Sequence, residues 1–145
     1  MGQQQLLLLV LGIVIVGLAV VVGIQAFSEN QKKANADALV NDAIRIASDA
    51  QAWMLKPTAF GGGSNSCAAT CDWTNATFPQ LGYPVNGTGY TNLNGDFTID
   101  GASTPTELVI VGTSAANGNQ VTVTVTGTTP AGIDTQVDTD YSATS

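Results

Sequence analysis

The chain has 145 residues, a length typical of one domain, and carries 4 basic and 11 acidic residues for a net charge of −7. Contact with nucleic-acid phosphates needs clustered Lys or Arg, so this balance argues against a nucleic-acid partner. The sequence has no histidine, which removes the commonest general base and transition-metal ligand. We therefore expect no enzyme activity, no metal site and no cofactor.

An uncharged apolar run occupies residues 6–24 and is interrupted only by Gly12, Gly17 and Gly23. As a helix, its 19 residues would be roughly 28 Å long, close to the hydrocarbon thickness of a bilayer. A cleavable secretory signal has a basic start and a shorter apolar core of about 7–15 residues. The run has neither property, so we predict that residues 1–27 are a retained membrane anchor.

Residues 28–56 keep a helical period but are amphipathic. One side is apolar and the other largely polar: Leu39, Ala43, Ile46, Ala50 and Trp53 against Asp37, Asn41, Asp42, Arg45 and Asp49. No Pro or Gly lies between Gly23 and Lys56. The two segments therefore predict one helix of about 50 residues, roughly 75–80 Å long, which ends at the Lys56-Pro57 pair.

Residues 57–89 are rich in Gly, Ser and Asn and predict a long surface loop, with Trp73, Phe78 and Tyr83 packed against the body. Cys67 and Cys71 are too few for a four-ligand zinc site and lack the C-x-x-C spacing of a redox motif. They predict a local disulfide, which would imply export, with two free thiols as the alternative. Asn75 and Asn86 begin the triplets NAT and NGT, which fit N-glycosylation acceptors.

Residues 90–145 read as short strands separated by turns. Asn94-Gly95 indicates a hairpin, ELVIVGT a buried central strand, and QVTVTVTG a strand with valines on one face. The sequence NLNGDFTID superficially matches a calcium loop, but Phe97 replaces the required Gly. We expect an α+β fold, in which an antiparallel meander of 4–5 strands packs on the amphipathic half of the helix.

The sequence QLLLLVLGIVIVGLAVVVGIQAF, continued by an amphipathic helix to Met54, resembles the N-terminal region of type IV pilins. The resemblance covers about the first 55 residues, and the remainder only as architecture. It implies processing by a prepilin peptidase and N-methylation of the new terminus. The family also carries a Glu at the fifth mature position, and this chain has none in either possible register.

In the first register, Met1 is the mature N-terminus after removal of a leader, and Gln5 occupies the position of that Glu. In the second, cleavage follows Gly2 and Gln3 becomes the N-terminal residue. Basic residues follow the apolar run but do not precede it, and a removed basic leader would restore the usual positive-inside orientation. This favours the first register.

The resemblance raises two further points about the helix. Gln3, Gln4 and Gln5 would form polar contacts between subunits in a filament core, where Gln5 accepts a hydrogen bond without a charge. Gly12, Gly17 and Gly23 would serve either as close helix contacts or as sites where the helix melts, because proline is absent near position 22. The disulfide would close a smaller loop than is usual in the family.

The resemblance implies a major structural subunit of an extracellular type IV pilus-like filament for surface adhesion or motility. Its partners would be copies of itself, the inner membrane before assembly, and the pilus assembly machinery. Two alternatives stay open: a monomeric, membrane-anchored, exported binding domain, and a pseudopilin of a secretion system.

Overall fold

A computed structural model of the chain describes residues 2–63, 67, 71–100 and 106–141. A long helix, α1 (Gly2–Leu55), precedes five strands: β1 (Tyr90–Thr91), β2 (Asp96–Asp100), β3 (Leu108–Ser114), β4 (Asn119–Val125) and β5 (Ile133–Asp138). The strands pair antiparallel in chain order, so β3 is central. The predicted α+β fold, with one long helix and an antiparallel meander, is confirmed.

Helix α1 runs without a break for 54 residues, which corresponds to about 81 Å. It ends at Leu55, two residues before Pro57, where helical geometry is disfavoured. Its second half buries the predicted apolar stripe: Leu39, Ala43, Ile46, Ala50 and Trp53. The opposite side of this half remains exposed or, at Asp42, half-buried.

The sheet and the second half of α1 bury each other's apolar faces. The fully buried side chains of β3 and β4 lie on the face toward α1: Leu108, Ile110, Val121, Val123 and Val125. Each such burial contributes about 1.5–3 kcal/mol. The outward residues Val109 and Val111 are only half-buried, because one helix covers one face of the sheet. The apolar run of β3 is therefore central but not buried on both faces.

The predicted hairpin joins β1 to β2 through a four-residue loop, because Thr91 pairs with Asp96. The side-chain Oδ1 of Asn92 accepts hydrogen bonds from the backbone N–H groups of Asn94 and Gly95, at 2.8 and 3.1 Å. A Cβ on Gly95 would lie 2.3 Å from the carbonyl oxygen of Thr113. Glycine is required here for close approach to β3.

Within the predicted loop, the structure contains a 3₁₀ turn (Thr58–Phe60) and a single-turn helix, α2 (Phe78–Leu81). Neither element was predicted from the sequence. The signals are Pro79 in the first turn and Gly82, whose φ of +85° ends the helix in the left-handed conformation.

The predicted disulfide and aromatic packing are both present. Cys67 and Cys71 are joined, with a sulfur–sulfur distance of 2.01 Å and Cα atoms 4.4 Å apart. Trp73 and Phe78 are buried in the core and Tyr83 is half-buried against it. Phe78 of α2 and its neighbours Trp73 and Tyr83 thus pack the loop against the body of the protein.

Candidate assembly surface

No described residue of the chain covers the first half of α1. Every side chain from residue 2 to residue 31 is exposed, and the large apolar ones range from 50% exposed at Val10 to 70% at Leu7. The charge-free stretch of residues 6–27 spans about 33 Å. An apolar surface of this extent is unfavourable in water and marks a site for lipid or protein.

The helix is long and apolar enough to cross a membrane. Its most apolar 18-residue window has a mean hydropathy of 3.2, and none of that window is buried inside the protein. The first charged residue is Glu29, followed by Lys32 and Lys33. Charge therefore begins only where the apolar stretch has ended, which suits a segment that enters a bilayer.

Three consecutive glutamines lie at the start of this surface. Gln3, Gln4 and Gln5 are helical and exposed. Successive helix residues are rotated by about 100°, so these three amides spread over about 200° of the helix circumference and do not share one face. Amides that point in different directions can donate to and accept from several neighbours at once. Met1, the candidate processed residue of the first register, lies outside the described residues.

The three glycines lie within the continuous helix, so α1 is not melted at any of them in the single chain. A Cβ built on Gly12, Gly17 or Gly23 would meet nothing within 4 Å. Gly12 and Gly17 contribute to a shallow apolar groove with Leu8, Leu9, Ile13 and Val16. A second helix can approach closely at such a groove, but the groove itself shows no occupant.

The second half of α1 is tied to the proximal end of the sheet domain, where the apolar half leaves it. Asn119 Nδ2 donates to the carbonyl of Lys32 at 2.8 Å and to Asn35 Oδ1 at 3.0 Å. The carboxylate of Asp42 accepts from the side chains of Asn92 at 2.8 Å and Asn94 at 2.6 Å. These contacts fasten the helix to the β1–β2 and β3–β4 turns.

A second tie fixes the distal end of the domain. Gln51 Nε2 donates to the carbonyls of Gly127 and Thr129, both at 2.8 Å, in the connection between β4 and β5. The helix direction is therefore set at two points separated by roughly 25–30 Å. The apolar half consequently projects from the domain as a rigid extension without a linker.

These polar ties were not predicted from the sequence, although those of Gln51 and Asn119 leave a pattern in it. Gln51 interrupts the apolar stripe between Ala47 and Met54, and it is 8% exposed. Asn119 has the same strand parity as the buried valines of β4 and is itself fully buried. A polar residue at a core position of an element signals a hydrogen-bonded tie. Asn35 and Asp42 offer no comparable signal.

A tyrosine–carboxylate contact lies on the side of α1 facing α2. The Tyr83 hydroxyl donates to Asp49 Oδ2. Burial, followed by this hydrogen bond and the Asp49 charge, raises the pKa of Tyr83 above its ordinary value, while Arg45 opposes the shift. In the preceding loop, the side chain and then the backbone N–H of Thr74 lower the pKa of Asp72 by hydrogen bonding to its carboxylate.

Both candidate glycosylation asparagines, Asn75 and Asn86, are exposed. The hydroxyl residues of their triplets, Thr77 and Thr88, line one shallow groove beside α2. The fold thus brings the two triplets together on one side of the domain. Among the described residues, no cluster of three or more His, Cys, Asp or Glu residues is placed to hold a metal ion.

Comparison of the chain with protein-family models, curated proteins and solved structures gives no match. The architecture itself is pilin-like, with a long apolar N-terminal helix that continues into an antiparallel sheet domain.

Proposed function

We propose that the chain is the major structural subunit of an extracellular type IV pilus-like filament that polymerises through its N-terminal helix. The observation that carries this proposal is the complete exposure of residues 2–31 on a helix that is rigidly fixed in its own domain. A membrane anchor alone would need only an apolar segment long enough to span the bilayer. A rigid rod without a linker also presents the domain at a fixed height and orientation, as a helical polymer requires.

The apolar half-helix would have two successive environments. In the inner membrane it contacts lipid, and after extraction it packs against copies of itself along the filament axis. Its apolar surface is covered in both states, so assembly exchanges one apolar neighbour for another. The three glutamines at residues 3–5 would then form hydrogen bonds between subunits, where the family has a charge.

The sheet domain would form the outer surface of the filament. Its outward-facing strand positions are rich in Thr and Asp, and a hydrated acidic surface opposes non-specific clumping. Glycans on Asn75 and Asn86 would add to this hydration. This surface would support adhesion or motility.

Negative-stain microscopy of material sheared from cells tests the filament proposal. We expect filaments a few nanometres wide, with this chain as the main protein by mass spectrometry. Recovery of the chain only as a monomer in detergent-solubilised membranes would overturn the proposal and favour an anchored binding domain. Short, transient polymers confined to the envelope would favour a pseudopilin.

The intact mass of the purified subunit tests the proposed processing. A methylated Met1 supports the first register, and a methylated Gln3 supports cleavage after Gly2. The same spectrum reports glycan mass on the NAT and NGT triplets. A chain that is neither cleaved nor methylated in either register would show that the proposed peptidase does not act on it.

A further inference from the structure

Positive charge is confined to α1 and the residue that follows it. Residues 1–56 carry four basic and four acidic residues, whereas residues 57–145 carry seven acidic residues and no basic one. The part of the chain after Lys56 therefore holds the whole net charge of −7. In a polymer made of this chain alone, the only basic side chains available to that part are those of α1 and Lys56.

Arg45 lies on the far face of α1, opposite its buried stripe, and Lys56 directly follows the end of the helix on the same side. This face repeats an apolar–cationic pair three turns apart, first Ile44-Arg45 and then Leu55-Lys56. Ile44 is 38% exposed, Leu55 is 52% exposed, and both cations are exposed. The 11-residue spacing places the two pairs about 16 Å apart.

The surface between these pairs consists of small side chains and forms one side of a shallow groove whose other side is residues 80–82. Ser48 and Ala52 lie between them on the same face and are exposed. Arg45 and Lys56 form no ion pair with a described residue, and Asp49 beside them is engaged by the Tyr83 hydroxyl. The far face therefore presents two cations and two apolar side chains that the single chain leaves unused.

Strand β5 offers the matching pattern. It pairs with β4 on one side and forms the edge of the described sheet on the other. It repeats an apolar–acidic pair, Ile133-Asp134 and Val137-Asp138, four residues apart or about 13–14 Å along a strand. Both carboxylates are exposed and Val137 is 48% exposed, although it lies on the helix-facing side of the strand.

We propose that the β5 edge of one copy docks on the far face of α1 in a second copy. Arg45 and Lys56 would face Asp134 and Asp138, and the exposed Ile44 and Leu55 would pack against Val137, since Ile133 is already half-buried against the core of its own chain. The spacings differ by about 2–3 Å, which the long Arg and Lys side chains can span. This inference rests on the proposed filament and names the lateral contact that sets its register.

The fold decides that this contact is between copies. Helix α1 packs on the sheet through the stripe opposite its far face, so that face points away from the β5 edge of the same chain. An edge that meets a different surface is a heterologous contact, which repeats from copy to copy and does not close a dimer. It would also cover a strand edge that otherwise invites irregular pairing.

Carbodiimide treatment of intact wild-type filaments tests the contact directly, because the reagent joins lysine amines to touching carboxylates. We expect Lys56 linked to Asp134 or Asp138 in filaments but not in the detergent-solubilised monomer. Filaments that yield no such link while Lys56 remains reactive toward an amine label would overturn the contact.

Charge reversal provides a second test in cells that express the full chain. R45E/K56E and D134K/D138K should each reduce filament yield by about tenfold or more, while the membrane pool stays at the wild-type level. R45E/K56E/D134K/D138K, which reverses both sides of the contact, should restore the filament yield. D96K is the matched control for D138K, because both side chains belong to one row across the sheet but Asp96 is not on the β5 edge.

The outcomes separate the two proposals. Absence of wild-type filaments would overturn the proposed function. If wild-type filaments form, two results would overturn only the docking of β5 on α1. One is an unchanged yield of both reversed variants, and the other is failure of R45E/K56E/D134K/D138K to restore assembly.

Discussion

The two halves of α1 belong to one unbroken helix but face opposite burial problems. All nine buried residues of the helix lie in the second half, from Ala36 to Met54, and none lies in the first. The second half is apolar on one stripe, so the sheet and the loop segment with α2 can cover that stripe. The first half is apolar all around, so no single neighbour can cover it.

The buried side chains show how closely the second half fits its partner. Four of the nine buried residues are alanines, which let the helix approach the sheet closely. The exposed first half is mainly Leu, Val and Ile, whose larger side chains suit many neighbours in lipid or in a bundle. The comparison shows that one helix can be matched in its second half to a specific partner and in its first half to a general apolar environment.

Removal of residues 1–27 should have the largest effect, because it separates the two halves of α1. The fragment should remain folded, because the described core begins after this segment, but it should become a soluble monomer. Size-exclusion chromatography without detergent and circular dichroism measure both properties. A fragment that aggregates or loses its sheet signal would mean that the first half supports the domain.

Matched leucine truncations compare the halves in one measurement. L39A should lower the free energy of unfolding of the domain by about 2–5 kcal/mol, because Leu39 is fully buried between helix and sheet. L9A, at a site 65% exposed, should change it by less than about 0.5 kcal/mol. Urea unfolding in detergent, followed by tryptophan fluorescence, gives both values. Equal losses would contradict the separation of the halves.

Most of the fold could be predicted because it follows from periodicity. The absence of Pro and Gly between Gly23 and Lys56 predicted one helix, and the alternation of Val with Thr predicted the faces of β4. Helix α2 was missed because four residues are too few to show a period, although its Pro and Gly were visible. Gly95 indicated a hairpin, but its close approach to Thr113 depends on a strand distant in sequence.

The candidate assembly surface was predicted in part. Composition predicted the apolar half-helix, because apolar surface on every side requires cover. The polar ties were not predictable as pairs, since Asn119 and Lys32 meet only through the packing of β4 on α1. The far-face and β5 patterns were present in the sequence, but the position of β5 at an edge of the described sheet appears only when the strand order is known.

Loss of the Gln51 tie should weaken the second half by less than loss of Leu39. Q51A leaves two backbone carbonyls without their donor and should cost about 1–3 kcal/mol of domain stability. Q31A, at an exposed position of the same helix, is the matched control and should be nearly neutral. The same urea titration measures both variants. If Q51A were as neutral as Q31A, the distal tie would not hold the helix.

The smallest expected effect is on the stability of the domain at alkaline pH, through the contact of Tyr83 with the second half of α1. Because burial and the Asp49 carboxylate raise the pKa of Tyr83 in the folded chain, the folded state resists ionisation of that phenol. Stability from this source is present below the ordinary tyrosine pKa of about 10 and is lost as pH rises above it. Y83F should therefore be less stable than wild type at pH 8, where it lacks the hydrogen bond to Asp49, and the difference should shrink by pH 11. Thermal unfolding across that range measures the change, and a constant difference at every pH would show that Tyr83 ionises equally in both states.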